Sequence, residues 1–594
     1  GMAAIVQPPR RSLITMYACT FTADQVRRAE APLLAAESFP DELMQSAAHA
    51  VFQVAEDMLS WPGDCLARWT TRWSAGGASA AGGVRIPPDP ETEAEARTLV
   101  LAGPGGNGGD GLYAGAELAL ARHPVDAWLT AETAHERALA AFRNAGGKVL
   151  SNPPWEHMER ARNYRLVIDA ITGIGTTAGL REELAELVDL LKRIRAAVLA
   201  VDIPSGINAD TGQPGELHIT ADVTVTFGGW RHAHVLAPQC GLQLLAGIGL
   251  PEMPLAELLV ENMPEWAEDG PDLLLANRAV VPEHPTGQWP SGIVTLNPAP
   301  APAIAPGHDD NKYTGGVVGI RAGSSDYPGA AILCAMGAVN ATPAMVRYAG
   351  PQALEVVRAL PEVVATETLQ DSGRVQTWVF GPGVGTGEAE AAELRWLLEL
   401  EVPLLIDADG LTLLSTHPDL LERLAARTSP TVLTPHDGEF TRLWEAAGLE
   451  APESGLTAPG RFAETLALAA ALGCTIVRKG RVSIIAPEDN PYIGLAVDAG
   501  HSWAATPGSG DVLAGVLGAH LARIFAQLQV EEDARTSGGL VVSGGVEFTL
   551  ADAVSVHAAA AKLAAETPFG DATAPASRIA QFIRDATAKL NTVH

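Results

Sequence analysis

The sequence predicts an α/β protein of two doubly wound domains, each a three-layer sandwich with a parallel sheet between layers of helices. Short, almost wholly apolar segments alternate with helical segments in both halves of the chain, which is typical of parallel sheets covered on both faces. A proline-rich stretch without this alternation separates the halves. A chain of 594 residues is also too long for a single hydrophobic core.

The composition fits this class and limits the function. Apolar residues make up 47% of the chain and aromatic residues 5%, as expected of a globular α/β protein rich in Ala and Gly. The net charge of −30 disfavours nucleic acid and anionic membranes as partners. The five cysteines lie far apart and form no CxxC, which indicates a reducing compartment and no zinc site. No apolar run approaches the length of a membrane span and no signal peptide is predicted, so we expect a cytoplasmic protein.

The first half opens with helices predicted over 23–36 and 42–59, the first of them capped by Thr22 or Asp24. Residues 61–90, rich in Gly, Ala and Pro, predict a flexible insertion. An alternation of strands and helices follows. The predicted strands are 98–102, 125–130, 166–171, 198–203 and 223–227, and the predicted helices between them are 112–122, 134–145 and 182–194.

Glycines and polar residues follow these strands, at the sheet edge where such folds bind ligands. The glycine run 103–111 is similar to a dinucleotide-binding turn, but no acidic residue closes the next strand to bind a ribose. Two aspartates at strand ends, Asp169 and Asp202, are expected to meet Asn107 and Ser205. These oxygen ligands could hold a hard cation. The alternative is that the two aspartates only cap loops.

Three segments of this half together resemble the NAD(P)H-hydrate epimerase domain: Gly105–Gly111, Val167–Gly175 and Val201–Gly206. The similarity covers roughly residues 20–245 and implies a Rossmann-like fold. The family interconverts the R and S forms of hydrated nicotinamide cofactors. The resemblance implies potassium at Asn107, Asp169 and Ser205, and a catalytic, cofactor-contacting Asp202. The other implied cofactor contacts are Gly106, Asn107, Gly108, Gly109, Asp110, Gly173, Ile174, Gly175, Thr176, Thr177, Ala178 and Gly179. Gly106 stands where the family usually has Asn, so one side-chain amide is lost.

Prolines are frequent from 250 to 306, which predicts a linker stiffened by polyproline-like segments and then the entry to a new domain. We therefore divide the chain into a first domain over 20–248, a linker over 249–275 and a second domain over 276–594.

The second half repeats the alternation. The predicted strands are 317–320, 375–380, 403–407, 432–434 and 475–477. A glycine-rich turn, 507–510, precedes a buried helix, so free N–H groups and the positive end of the helix dipole would cradle a phosphate. Asp511 would lie beside that phosphate, placed to accept a proton from an attacking hydroxyl. The alternative is an ordinary loop before a core helix. The Gly-rich tract 536–545 predicts a further insertion.

Motifs in this half resemble the ribokinase-like fold and, within it, NAD(P)H-hydrate dehydratase. They are Asn311-Lys-Tyr-Thr-Gly-Gly, the Gly-Ser-x-x-Tyr-Pro-Gly-Ala run from Gly323, Gly381-Pro-Gly, Leu433-Thr-Pro-His and Gly508-Ser-Gly-Asp. The resemblance implies contacts of the hydrated cofactor with Ala330, Gly383, His436 and Asp511. It implies nucleotide contacts with Lys479, Gly480, Arg481, Val482, Ser483 and Gly510. For His436, a structural role and a substrate contact are equally open. Two positions depart from the family pattern: Ser509 replaces Thr, and Asp437 replaces Pro.

The resemblance also implies a mechanism. The family phosphorylates the C6 hydroxyl of the hydrate and then eliminates phosphate, and Asp511 would accept the hydroxyl proton. Bacterial members with this fused domain order use ADP, so we expect ADP as co-substrate and AMP as product, with K⁺ in the first domain and Mg²⁺ on the nucleotide. Hydrated NADH or NADPH and an adenine nucleotide are the expected ligands, and a homo-oligomer is one expected assembly. The alternatives are a small-alcohol kinase with a regulatory N-terminal domain, and a non-catalytic binding protein.

Overall fold

The computed structural model of the chain comprises two α/β units. The first unit contains residues 1–274, 281–297 and 453–460, and the second contains 275–280, 298–452 and 461–594. The described residues are 17–61, 97–156, 163–175, 179–194, 196–250, 252–266, 273–281, 284–285, 288–299, 304–451, 455–488, 493–535 and 545–591. The predicted insertions at 61–90 and 536–545 lie outside these residues, apart from Trp61 and Gly545.

Strands and helices alternate along both units. In chain order the strands are β1 (Ala18–Phe21), β2 (Arg97–Ala102), β3 (Val125–Leu129), β4 (Lys148–Val149), β5 (Tyr164–Ala170), β6 (Ala197–Val201), β7 (Val223–Phe227), β8 (Trp230–Arg231), β9 (Leu242–Ala246), β10 (Gly249–Leu250), β11 (Met253–Pro254), β12 (Leu273–Arg278), β13 (Ile293–Thr295), β14 (Val317–Arg321), β15 (Met345–Ala349), β16 (Val364–Thr366), β17 (Thr377–Phe380), β18 (Leu404–Ile406), β19 (Thr431–Leu433), β20 (Thr475–Arg478), β21 (Val482–Ala486), β22 (Ile493–Asp498), β23 (Glu566–Thr567) and β24 (Gly570–Asp571). The helices are α1 (Ala23–Ala35), α2 (Glu42–Ser60), α3 (Gly106–Leu120), α4 (Glu136–Asn144), α5 (Ala185–Arg193), α6 (His232–Leu236), α7 (Leu255–Trp266), α8 (Pro328–Ala341), α9 (Ala353–Ala359), α10 (Glu388–Glu399), α11 (Asp409–Thr416), α12 (Pro418–Ala425), α13 (Asp437–Ala446), α14 (Gly460–Leu472), α15 (Ser509–Arg535), α16 (Val546–Ala565), α17 (Ala576–Gln581) and α18 (Ile583–Asn591).

A mostly parallel sheet lies at the centre of the first unit, in the strand order β13-β9-β7-β6-β5-β2-β3-β4. Only the edge strand β13 runs antiparallel to its neighbour. Every residue of β6 and β7 is buried, so the sheet is covered on both faces. Helices α2, α3 and α4 pack together, while α5 contributes to a separate core cluster. The predicted doubly wound, three-layer architecture is confirmed.

The glycine run of the first unit is helical for most of its length, because α3 begins at Gly106 and not at the predicted Leu112. Its glycines allow a close approach that larger residues would block. A Cβ at Gly108 would lie 2.0 Å from the carbonyl oxygen of Gly103, and one at Gly111 would lie 2.4 Å from the Cβ of Ala170. Packing against the strand ends therefore outweighs the poor helix propensity of glycine.

The second unit is built on a sheet in the order β16-β15-β14-β17-β18-β19-β20-β21-β22-β12. Neighbours from β16 to β20 are parallel, as predicted, whereas β21 and β22 turn back antiparallel. Every residue of β14, β17, β18 and β19 is buried. Helices α8 and α15–α18 form one packed group and α10–α13 another. The unit is thus also a three-layer sandwich, with an antiparallel extension that was not predicted.

The segment predicted as a linker, 249–275, contains regular structure. Strands β10 and β11 pair as a hairpin, and α7 follows directly and packs against α1. Among the described helices, residues 509–529 of α15 form one stretch long and apolar enough to cross a membrane, but 67% of its most apolar window is buried inside the protein.

Candidate active sites

The first candidate site lies where the strand order reverses between β2 and β5. The chain adds β3 and β4 on one side of β2, then β5, β6 and β7 on the other, and ligands bind at such switch points. Helix α3 begins there, so its first N–H groups face outward from the sheet edge. The Asn107 Nδ2 donates a hydrogen bond to the Thr172 carbonyl at 3.0 Å. This bond joins the start of α3 to the loop after β5.

Asp169 and Ser205 form the polar centre of this site. The amide and hydroxyl of Ser205 donate to the two Asp169 carboxylate oxygens at 2.8 and 2.6 Å, and the hydroxyl oxygen accepts from the Thr172 amide at 3.0 Å. Burial raises the pKa of Asp169 to about 6, although the Ser205 hydrogen bonds act in the opposite direction. No described lysine or arginine forms an ion pair with this carboxylate. The oxygens of Asp169, Ser205, Thr172 and Asn107 are therefore a donor set that suits a hard cation, which would favour the ionised carboxylate.

Asp202 follows β6 in a left-handed backbone conformation, with φ +64°. The Thr226 hydroxyl donates to its carboxylate at 2.8 Å, and the buried Arg231 lies 3.5 Å away. His234 donates from Nε2 to the Asp202 carbonyl at 2.6 Å and accepts at Nδ1 from the Arg231 amide at 2.9 Å. Burial lowers the pKa of His234 to about 4, so a neutral imidazole holds the strained residue in place.

Two further carboxyl groups interact electrostatically with Asp202. Burial raises the pKa of Asp110 well above its usual range, and the charges of Asp202 and Glu30 raise it further. Burial also raises the pKa of Glu30, although the positive charge of Arg231 acts to lower it. A protonated carboxyl near an ionised one can give and take a proton. Glu30 lies on α1 and was not predicted as a site residue, because a lone glutamate in a helix carries no signal in the sequence.

The predicted loop 173–179 reaches the same site in part. A Cβ at Gly173 would lie 3.2 Å from the Asn107 Oδ1, and the Ile174 carbonyl accepts a hydrogen bond from Arg27 at 3.0 Å. Gly175 and Gly179 follow, the latter close to Gly215. Thr176, Thr177 and Ala178 lie outside the described residues. The structure thus brings Asn107, Gly173, Asp169 and Ser205 together, as their strand-end positions predict.

The second candidate site lies at the corresponding reversal, between β14 and β17. The Gly323 amide donates to the Pro382 carbonyl at 2.7 Å, so the loops after these strands touch. Gly383 has φ +61°, and a Cβ there would lie 2.8 Å from the Cβ of Ala330. The two predicted cofactor contacts therefore line one surface. Tyr327, which was not predicted, adds a ring beside them that is 63% exposed.

Asp511, Lys479 and Asp407 form the charged part of the second site. Asp511 lies in the first turn of α15, after Gly508 at φ +84°. Lys479 Nζ donates to the Asp407 carboxylate at 2.5 Å and lies 3.8 Å from Glu439. A Cβ at Gly510 would lie 3.7 Å from the same Nζ. Lys479 therefore reaches the glycine turn that was predicted to bind phosphate.

These charges adjust the acidity of Asp511. Burial and the Asp407 carboxylate together raise its pKa to about 7, although the charge of Lys479 acts in the opposite direction. Burial works against the charge of Lys479 as well, but Asp407 and Glu439 outweigh it and raise the pKa of the lysine. Near neutral pH a share of Asp511 is thus ionised and able to accept a proton, while the raised pKa of Lys479 favours its charged form. That is the pairing expected of a general base beside an anion-binding cation.

A strained residue, Ala408, separates two carboxylates of this site. Its φ of 50° and ψ of −116° are rare for a residue with a side chain. This turn places the Asp407 carboxylate beside Lys479. It places the Asp409 carboxylate beside the Gly385 amide, which donates a hydrogen bond to Asp409 at 2.9 Å. The loop after β17 is thereby connected to Lys479. The site predicted from the sequence did not include Asp407, Asp409 or Glu439.

His436 has a structural role that the sequence left open. It caps α13: its Nδ1 accepts from the Gly438 and Glu439 amides at 3.0 and 3.3 Å. Its Nε2 lies 3.4 Å from a carboxylate oxygen of Glu439, and the His436 side chain is 58% exposed. Capping therefore fixes the ring and leaves its outer edge accessible to a ligand.

The predicted nucleotide contacts 479–483 form one segment, which contains the turn after β20 (479–481) and the first two residues of β21. The Ser483 hydroxyl donates to the Gly480 carbonyl at 3.3 Å, and Arg481 lies 3.7 Å from Asp498. The Lys479 amide donates to the Pro435 carbonyl at 2.8 Å, which holds this turn beside the residue preceding His436.

Helices α8 and α15 meet almost backbone to backbone. A Cβ at Gly515 would lie 1.9 Å from the Cys334 carbonyl oxygen, and one at Gly337 would lie 2.3 Å from that of Val512. Ala330 is in the first turn of α8 and Asp511 in the first turn of α15. The close packing therefore fixes the separation between a predicted cofactor contact and the predicted base.

Comparison with known proteins identifies the chain. A family model described as YjeF-related protein N-terminus matches residues 40–233, and one described as NAD(P)H-hydrate dehydratase matches residues 318–582. A bifunctional NAD(P)H-hydrate repair enzyme of Corynebacterium glutamicum is 41% identical over 96% of this chain and 98% of its own length. The chain belongs to the family of bifunctional NAD(P)H-hydrate repair enzymes.

Other bifunctional NAD(P)H-hydrate repair enzymes are similar over most of their length. The protein of Mycobacterium tuberculosis is 39% identical over 84% of this chain and 89% of its own length. The protein of Synechocystis is 31% identical over 72% of this chain and 77% of its own length. A solved ribokinase-like superfamily protein from Enterococcus faecalis is 21% identical, covers 48% of this chain and 91% of its own, and superposes with a TM-score of 0.38. The architecture of the second unit is established by its sheet order.

Membership of the bifunctional NAD(P)H-hydrate repair enzymes confirms the interpretation drawn from the motifs. It favours an enzyme of cofactor repair over a small-alcohol kinase or a non-catalytic binding protein. The first matched segment contains Asn107, Asp169, Asp202 and Ser205, while Glu30 lies outside it. The second contains the charged residues around Asp511.

Proposed function

We propose that the chain repairs hydrated NADH and NADPH in two steps, one in each unit. The first unit interconverts the R and S hydrates. The second dehydrates the S form with ADP as phosphoryl donor, giving NAD(P)H, AMP and phosphate. The observation that carries the proposal is the position of Asp511, whose pKa is raised to about 7, at the start of α15 and in electrostatic contact with Lys479 and Asp407.

In the dehydration, Asp511 accepts the proton of the C6 hydroxyl. The oxygen of that hydroxyl attacks the terminal phosphoryl group of ADP. The bond from that phosphorus to the bridging oxygen breaks, and AMP leaves. Phosphate then departs from C6 with the C–O bonding electrons, and loss of a proton from the adjacent ring carbon restores the double bond. Lys479 and the first amides of α15 stabilise the developing negative charge. The Ser509 amide already donates to the Thr506 carbonyl at 3.2 Å, so Gly510 and Asp511 supply the amides.

In the epimerisation, Asp110 and Asp202 act as an acid and base pair. A protonated Asp110 donates its proton to the C6 hydroxyl, which leaves as water, and the ring nitrogen lone pair forms an iminium. Water then adds to the opposite face and gives its proton to Asp202. The raised pKa of Asp110, caused by burial and by the charges of Asp202 and Glu30, supports the acid role.

Two metal ions accompany this proposal. Potassium would be held by Asn107, Asp169 and Ser205, where its charge would keep the buried Asp169 ionised and order the loop that meets the cofactor. In the described parts of the chain, no group of three or more His, Cys, Asp or Glu side chains is arranged to hold a metal. Magnesium would therefore be carried mainly by the nucleotide phosphates, as Mg²⁺ commonly is.

The first experiment follows the absorbance of reduced nicotinamide after mixed R and S hydrates are added with ADP, with ATP or with neither. Complete recovery with ADP alone is the expected result. Recovery that stops near half would mean an impaired epimerase, with Gly106 as the suspected residue. Replacing potassium by lithium should slow only the second half of the recovery. No recovery with either nucleotide would contradict the proposal and favour a small-alcohol kinase.

Replacing Asp511 tests its role directly. Asp511→Ala should lower the dehydration rate by about 10²–10⁴-fold, as loss of a general base does, and leave epimerisation unchanged. Asp419→Ala, on the exposed side of α12, is the control and should leave both rates unchanged. Dehydration retained in the Asp511 variant would exclude this residue as the base.

A further inference from the structure

Asp437 distinguishes this chain from the family pattern, which has proline after the histidine. It is the first residue of α13, next to His436. Its carboxylate accepts hydrogen bonds from Arg478 Nε at 2.8 Å and from Arg461 Nη2 at 3.2 Å. Burial opposes its ionisation, but the two arginines outweigh this and lower the pKa of Asp437. A proline at this position could form neither contact.

Arg461 extends from α14 across the turn that links β20 and β21. Its Nη2 donates to the Lys479 carbonyl and its Nη1 to the Val482 carbonyl, both at 3.1 Å. Gly480 lies beneath the guanidinium, and a Cβ there would be 2.9 Å from Nη2. One side chain thus bonds both ends of the turn that contains the predicted nucleotide contacts.

Arg478 anchors the other side of the same network. Its side chain is 9% exposed, and its Nη1 donates to Glu464 at 2.7 Å. Its guanidinium lies 3.8 Å from the ring centroid of Phe440, a favourable cation–π position. Because Arg478 directly precedes Lys479, a shift of this arginine would move the lysine as well.

We propose that Asp437 is a positioning residue for nucleotide binding. Its carboxylate fixes the Arg461 guanidinium, which in turn sets the shape of the 479–483 segment and the placement of Lys479. The inference rests on the proposed function, in which this segment binds ADP. In this role Asp437 acts through Arg461 and Arg478, so its loss should weaken nucleotide binding and leave the chemical step unchanged.

The test compares ADP binding and steady-state kinetics in Asp437→Asn and the parent chain. The variant should raise both the Kd from calorimetry and the KM for ADP about fivefold, the scale of a partly exposed charged hydrogen-bond network. The kcat and the KM for the hydrate should stay within about twofold. Asp419→Asn is the matched control, since Asp419 also accepts from an arginine, Arg395, at 2.7 Å and is 47% exposed. It should leave every constant unchanged.

Two further variants make the result decisive. Asp437→Pro removes the same contacts, and proline suits the first position of a helix. This variant should therefore weaken ADP binding as much as Asp437→Asn does. It should also stay folded if Asp437→Asn does not. In an Arg461→Met background, Asp437→Asn should cause a smaller loss than in the parent chain, since only the Arg478 contact then remains to be removed.

Unchanged ADP binding in both Asp437 variants would overturn this proposal alone. A change confined to kcat or to the hydrate KM would also overturn it. A parent chain that binds no ADP would instead overturn the proposed function, and this role with it.

Discussion

Asp407 acts on both charged partners of the second candidate site. It is 1% exposed, and its carboxylate bonds the Lys479 ammonium at 2.5 Å. The same negative charge is the largest electrostatic contribution to the raised pKa of Asp511. Without it, Asp511 would lose a repulsive neighbour and Lys479 would lose its neutralising partner. Both changes favour the ionised form of Asp511.

Asp407→Asn should therefore move the acid limb of the dehydration pH profile to lower pH. In the parent chain kcat should fall as pH decreases through about 7, the pKa of Asp511, because the protonated carboxyl cannot act as a base. The measurement is kcat between about pH 5 and 9. Asp409→Asn should give a smaller shift of the same sign. An acid limb that stays in place or moves upward in the Asp407 variant would contradict this electrostatic account.

Site residues were predicted from three kinds of signal. Asp169 and Asp202 were found because the carboxyl ends of parallel strands share an edge. Asp511 was found from the glycine-rich turn before its helix, and Lys479 from the family resemblance. Glu30 was missed because it approaches from a helix remote in sequence. Which of the acidic residues after a strand points inward depends on backbone torsions such as those of Ala408, and no pattern of residue types encodes them.

Helix α3 shows how an element can be set by contact and not by propensity. Its first turns are rich in glycine, yet the helix begins at Gly106 because its backbone packs against Gly103 and Ala170. Periodicity of apolar residues becomes visible only from Leu112 onward, so the start of the helix was predicted too late. The β21–β22 extension was missed as well. Of its residues only Val482 and Ser483 were interpreted, and those as ligand contacts.

Gly108→Ala should destabilise the first unit and impair epimerisation. Its Cβ would lie 2.0 Å from the Gly103 carbonyl oxygen, so either α3 or the strand-end turn must shift. A loss of about 1–3 kcal/mol is expected from overpacking of this kind. Thermal unfolding and the rate of R-to-S conversion measure it. Gly106→Ala is the stability control, because its nearest neighbour would be a methionine methyl at 3.8 Å. Equal melting temperatures for the two variants would refute the close-contact explanation.

Over the whole molecule, buried histidines make both units sensitive to acid. Burial lowers the pKa of His234, His501 and His557 to about 4 and that of His520 to about 3. The unfolded chain binds protons at these groups below about pH 6.5, whereas the folded chain does not. The free energy of unfolding must therefore decrease as pH falls from 6.5 towards these values.

His520→Leu should remove part of this sensitivity. His520 Nε2 finds no hydrogen-bond partner among the described residues, so the substitution sacrifices no bond at that atom. The difference in unfolding free energy between pH 7 and pH 5 should shrink by about 2 kcal/mol, the linkage contribution of one such histidine. Urea unfolding at the two pH values measures it. His308→Leu, at a side chain that is 97% exposed, should leave the difference unchanged. A His520 variant as acid-sensitive as the parent would argue against this assignment.

The backbone contact between α8 and α15 restricts how the second unit can evolve. Side chains that line the predicted cofactor surface can be exchanged without moving the two helices, because Gly337 and Gly515 carry the contact. Any larger residue at either glycine would push Ala330 and Asp511 apart. Selection for this geometry therefore acts on two positions inside the helix contact. The separation of Ala330 and Asp511 is inherited as a fixed length, while the side chains around them can diversify.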